Sequence, residues 1–67
     1  MKIVEWEKHG EVQVGIDENR YKRAVILREG PQYYGYAPLG CHESIREYVG
    51  TNTRQMCRRI QAALKEL

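Results

Sequence analysis

The sequence predicts an α+β domain: an antiparallel β-sheet of four or five strands, packed on one face by a single C-terminal helix. Three observations carry this. Apolar residues alternate at a period of two over Val12, Val14 and Ile16, and a short apolar run, Ala24 to Leu27, follows. Gly10, Asp17-Glu18-Asn19 and Gly30-Pro31 punctuate the first half of the chain at turn-like intervals. Helical periodicity over a long stretch occurs once, from about Thr53 to the end.

Ile3 to Glu7 reads as the first strand. Lys8-His9-Gly10-Glu11 then forms a hairpin turn, because Gly10 can take a positive φ without steric cost. Val12, Val14 and Ile16 alternate with Glu11, Gln13 and Gly15, the pattern of a strand with one buried face. Asp17-Glu18-Asn19 is a polar turn. The third strand runs from Arg20 to Leu27. Its continuously apolar end, Ala24-Val25-Ile26-Leu27, predicts a central strand covered on both faces. Gly30-Pro31 reverses the chain into a tyrosine-rich fourth strand, Tyr33 to Ala37, which Pro38 ends.

A Leu39-Gly40-Cys41 turn follows. Residues 42–49 fit either of two states. Ile45, Glu47 and Val49 can line one side of a strand, whereas Ser44 with Glu47 fits a helix capping box closed by Gly50. Tyr48-Val49 tips the balance to strand. In the final helix Thr51, Asn52 and Thr53 are all good caps. Met56, Ile60, Ala63, Leu64 and Leu67 form its apolar stripe, and Arg54, Arg58, Gln61 and Lys65 the opposite face. The expected core is Val12, Val14, Val25, Leu27, Ile45, Met56, Ile60 and Leu64.

Sixty-seven residues make one domain of marginal stability, so a partner or a second copy is expected. Residues 1–20 would add a hairpin to a core over residues 21–67. No apolar run reaches the roughly 20 residues of a membrane span, and the N-terminus lacks a signal-peptide core. A soluble, cytoplasmic protein is expected. Cys41 and Cys57 are too few for a disulfide framework and lack metal-ligand spacing, so no metal or other cofactor is expected.

Nothing in the sequence supplies a catalytic constellation. Ser44, His42 and Glu47 crowd one segment, whereas a nucleophile, base and orienter converge from separate elements. The net charge of +2 is unevenly placed: residues 1–18 carry five acids and two bases, residues 19–67 nine bases and four acids. All five tyrosines fall in the basic part. Tyr33, Tyr34 and Tyr36 are candidates for a protein interface, since tyrosine combines contact area with a polar tip. Arg20, Lys22, Arg23, Arg54 and Arg58, with those tyrosines, are the alternative: one contiguous nucleic-acid-binding patch.

Tyr33-Tyr34-Gly35-Tyr36-Ala37-Pro38-Leu39-Gly40-Cys41 resembles the segment of HicB-like antitoxins in which a tyrosine-rich strand runs through a proline into Leu-Pro-Gly-Cys, here two residues shorter. Gly50-Thr51-Asn52, followed by Met56, Cys57, Ile60, Ala63 and Leu64, is similar to that family's helix start and helix pattern. The resemblance covers residues 22–67. It implies a β-β-β-α domain without catalytic activity that binds and occludes a small basic toxin ribonuclease, often as an oligomer. The connector after Cys41 is longer than in that family, arginines replace its helix glutamates, and its C-terminal DNA-binding domain is absent. A basic helix face would sit poorly against a basic toxin. Three strands followed by a helix also resemble the arm-binding domains of phage integrases, which implies a sheet laid in a DNA groove.

Overall fold

The computed structural model describes residues 1–38 and 44–66. Five strands form one antiparallel sheet in sequence order: β1 (Ile3–His9), β2 (Val12–Asp17), β3 (Lys22–Glu29), β4 (Gln32–Pro38) and β5 (Ile45–Gly50). One helix, α1 (Thr53–Leu64), follows and covers one face. Strand was the favoured state for the ambiguous segment, and β5 bears it out from Ile45 onward. The expected Leu39-Gly40-Cys41 turn, His42 and Leu67 lie outside the described residues.

Each connection follows from its local chemistry. Gly10 (φ 64°) and Gly30 (φ 62°) close the β1–β2 and β3–β4 hairpins in left-handed conformations that a β-carbon would strain. Asn52 caps α1: its side-chain oxygen accepts the backbone N–H groups of Arg54 and Gln55 at 2.9 and 3.2 Å.

The core lies between α1 and one face of the sheet. Ile3, Ala24, Ile26, Ala37 and Tyr48 from the strands meet Met56, Ile60 and Leu64 from the helix. The three helical residues are the ones the apolar stripe predicts. The strand residues are not. Val12, Val14, Val25 and Leu27, expected in the core, point to the face away from α1 and are half-exposed, and Ile45 is 70 % exposed. β3 is the central strand, as expected, but it is covered on one face only, by way of Ala24 and Ile26.

Small residues decide which face receives the helix. A β-carbon on Gly35 would sit 3.0 Å from Met56 Cε and 3.1 Å from Ile60 Cδ1, so the helix rests directly on that backbone. Gly35 stands opposite Ile26 on β3 and Tyr48 on β5. Ala24 and Ala37 flank the same seat. Toward the β1 edge, Trp6 plays the part of the helix: its ring lies over Gly15, where a β-carbon would come within 3.0 Å. The edge is tied to α1 by the Ile3 N–H, which donates to Gln61 Oε1 at 3.1 Å. Gln61, expected on the solvent face of the helix, is thus a bridge to β1.

This arrangement predicts opposite outcomes at neighbouring positions. Ile26→Ala empties a fully buried site and is expected to cost about 2–5 kcal/mol. Val25→Ala, on the half-exposed face, is expected to cost about 1 kcal/mol or less. Urea unfolding of both variants reads the difference. In the same assay Gly35→Val should destabilise by about 1–3 kcal/mol, since it overpacks the seat of Met56 and Ile60.

Candidate functional site

The two sides of the sheet differ in chemistry. On the open side, cross-strand partners form the row Glu7–Val14–Val25–Tyr36–Glu47. Beside it runs the row His9–Val12–Leu27–Tyr34–Val49. The apolar centre of this face is therefore flanked by carboxylates, Glu7 on β1 and Glu47 on β5. A depression of about 410 Å³ crosses this face from β2 to β5, lined by Val14, Val25, Tyr36, Pro38 and Ile45 together with the cations Lys22 and Arg23. Ile45 and Val49 are 70 % and 45 % exposed on the edge strand.

The polar tips on this face are held in place. Tyr36 donates its hydroxyl to Glu47 Oε2 at 2.8 Å, and that hydrogen bond pushes the phenol above its ordinary pKa. Tyr34 donates to Gln32 Oε1 at 2.8 Å. Both hydroxyls are thus hydrogen-bonded within the sheet.

The helix side is basic. Arg54 and Arg58 are exposed on α1. Arg59 donates to the Val49 carbonyl at 2.9 Å and stacks on Tyr48, which Arg46 also covers, at 5.5 and 5.1 Å from the ring centroid. Lys8 and Arg28 share this side, because their cross-strand neighbours Gln13–Ile26 and Tyr33 belong to it.

The sequence-predicted residues are distributed accordingly. Alternation splits the tyrosines: Tyr34 and Tyr36 lie on the open face, while Tyr33 packs against the core beside the helix. The basic residues also divide. Arg54 and Arg58 lie on the helix, on the side away from Tyr34 and Tyr36. Arg20 donates to Glu5 Oε2 at 3.0 Å, and Arg23 Nε donates to Asp17 Oδ2 at 2.7 Å. Lys22 is exposed at the start of β3. These side chains do not form one contiguous patch.

Asp17 is the functional-looking group that sequence reasoning passed over as a turn residue. It is 3 % exposed and is the one buried charged side chain among the described residues. Its Oδ1 accepts the N–H groups of Asn19 and Tyr21 at 2.8 and 2.9 Å, and its Oδ2 holds Arg23. The turn it organises also places Arg20 at φ 69°, a conformation that ordinary side chains rarely adopt. The role is structural: Asp17 fixes the β2–β3 connection and keeps Arg23 at the margin of the open face. Asp followed by Asn two residues later was the available signal, since an aspartate of this kind bonds its own backbone.

Among the described residues, no group of three His, Cys, Asp or Glu could hold a metal ion. Among the same residues, no helix is long and apolar enough to cross a membrane. Cys57 is half-buried beside the core, and burial pushes its thiol above the ordinary value, as suits an inert packing residue. Compared with known proteins, the chain matches no family model, no curated protein and no solved structure.

The hydrogen bond from Arg23, with those from the Tyr21 and Asn19 N–H groups, holds the Asp17 carboxyl below its ordinary value of 3.8, against the opposing effect of burial. A depressed folded value means stability that is present above the unfolded pKa. It is lost as pH falls below 3.8 through the lower folded value. Asp17→Ala should lower the melting temperature at pH 7 by roughly 5–10 °C. The gap between wild type and variant should narrow as a series of thermal melts descends through that acid window.

Proposed function

We propose that this chain is a non-enzymatic binding protein that seats a basic protein partner on its open sheet face. One observation carries the proposal: the half-exposed centre Val12, Val14, Val25, Leu27, Tyr34 and Tyr36 is bounded by Glu7 and Glu47. An apolar centre with a charged rim is the anatomy of a protein interface, in which the centre supplies affinity and the rim selects the partner. Lys or Arg side chains on the partner would meet Glu7 and Glu47. A second copy, laid face to face, would set carboxylate against carboxylate, so a different, basic protein is the better occupant.

The resemblance to HicB-like antitoxins supports the same partner class, a small basic protein. The β3-β4-β5-α1 order agrees with the β-β-β-α domain that the resemblance implies. The objection raised by the helix arginines weakens, because those arginines lie across the sheet from the face in question. A nucleic acid laid on the sheet, as in the integrase arm-binding resemblance, has less support: carboxylates bound the face, and Arg23 is engaged by Asp17.

The test uses the wild-type chain, Val25→Lys, the double variant Glu7→Lys/Glu47→Lys, and Arg58→Gln as bait for affinity capture. Light scattering reports the oligomeric state of each. The expected outcome is a basic protein bound by wild type and by Arg58→Gln, with affinity at least ~10-fold weaker for both face variants. A homodimer that Val25→Lys disperses would replace the basic partner with a second copy. Binding indifferent to the face variants would overturn the proposal.

A further inference from the structure

A second surface lies on the other side of the sheet. Between β1 and α1 runs a groove of about 510 Å³. Its apolar walls are Ile3, Trp6 and Ala62, and its polar groups come from Arg58, Gln61 and Lys65. All of these polar groups can act as hydrogen-bond donors. Gln61 has its oxygen engaged by the Ile3 N–H, so the group it has left to offer a ligand is its donor NH₂. Trp6 adds an indole N–H, a donor only. No carboxylate lines the groove, and neither Arg58 nor Lys65 makes an ion pair among the described residues.

This lining selects for negative charge joined to a flat apolar group. Arg58 and Lys65 are seven residues apart on a helical path, which separates their α-carbons by about 10 Å along the axis. A chain with repeated charges can place a separate anion on each, and Trp6 offers ring surface beside them. Single-stranded nucleic acid has both features: phosphates at regular intervals and bases that stack on aromatic side chains. An acidic peptide has the charges without the rings. Arg54, one turn before Arg58, extends the cationic track toward the N-terminus of α1.

We propose that the β1–α1 groove binds single-stranded nucleic acid, with phosphates on Arg58 and Lys65 and a base against Trp6. The site is independent of the open sheet face and of whatever occupies that face.

Trp6 is the only tryptophan, so its fluorescence reports on the groove directly. The experiment titrates the full chain with oligo-dT and, separately, with poly-glutamate of matching charge, from 50 to 200 mM salt. Saturable quenching by oligo-dT is expected. Two phosphate contacts at a slope of about −0.7 each predict an affinity loss of about sevenfold across that salt range. Arg58→Gln/Lys65→Gln should flatten the salt slope by about 1.4. Val25→Lys should leave binding unchanged, which separates this site from the open face. Absence of quenching at 50 mM salt would overturn the proposal. So would equal quenching by poly-glutamate, or a salt slope unaltered in the double variant. Circular dichroism of each variant confirms that the fold is retained, as exposed positions on the helix allow.

Discussion

One helix of twelve residues has to supply one whole side of this domain's core. The sheet it covers is five strands wide, roughly 19 Å between the outer strands. A helix with its side chains is about 10 Å across. It therefore shelters part of one face and none of the other. The close approach of α1 to Gly35 is what makes even that coverage effective. With no side chain at that position, Met56 and Ile60 reach the backbone of the central strands and are fully buried against Ile26. Trp6, folded over Gly15, extends the cover toward β1. Remove the glycine seat and the one apolar stripe in the chain has nowhere to close.

The charge pattern obeys the same constraint. Strand residues alternate between a face that α1 covers and one that it does not. Lys8, Arg28 and Arg46 share the covered side with the helical cations, around the margins of the helix. Glu7 and Glu47 fall on the open side. A chain whose net charge is only +2 is thus polarised across the thickness of its sheet. Net charge and the division along the sequence both conceal this, because the separation is between odd and even positions of the same strands. It also explains why Arg28 and Arg46 pack on Tyr33 and Tyr48 and not on Tyr34 and Tyr36: the latter two sit on a neighbouring strand, yet on the opposite face.

How much of this was legible follows from where each signal resides. The hairpins were, because Gly10 and Gly30 are needed at positive φ and stand between alternating runs. The helix was, because Met56, Ile60 and Leu64 repeat every fourth residue. The buried face was not. Val12, Val14, Val25 and Leu27 are larger and more apolar than Gly15, Ala24, Gly35 and Ala37, so hydrophobicity alone points to the wrong side. The decisive signal was steric: a row of small residues on the central strands marks where a helix can come close. Size, not hydropathy, fixes the register of the layers here. The groove beside Trp6 was illegible for a different reason, since residues 6, 58 and 65 meet only once β1 is folded beneath the helix.

The misassigned face bears on function through the same physics. Had Val25 and Leu27 filled the core, as the sequence expectation had it, Tyr34 and Tyr36 would have been buried with them, and the exposed side would have carried Ala24, Ile26 and Gly35. Instead, apolar surface that exceeds what one helix can cover is left half-exposed around two tyrosines whose hydroxyls are already bonded. Apolar area left in water stabilises nothing until it is buried, at about 25 cal/mol per Å². A domain this small, already marginal in the surface it buries, has little to gain from such a face in isolation. The valine and leucine row is costly to keep exposed and contributes little to folding. Burial under the proposed basic partner would turn that row into stabilising area, with the carboxylates at its margins facing the partner's cations.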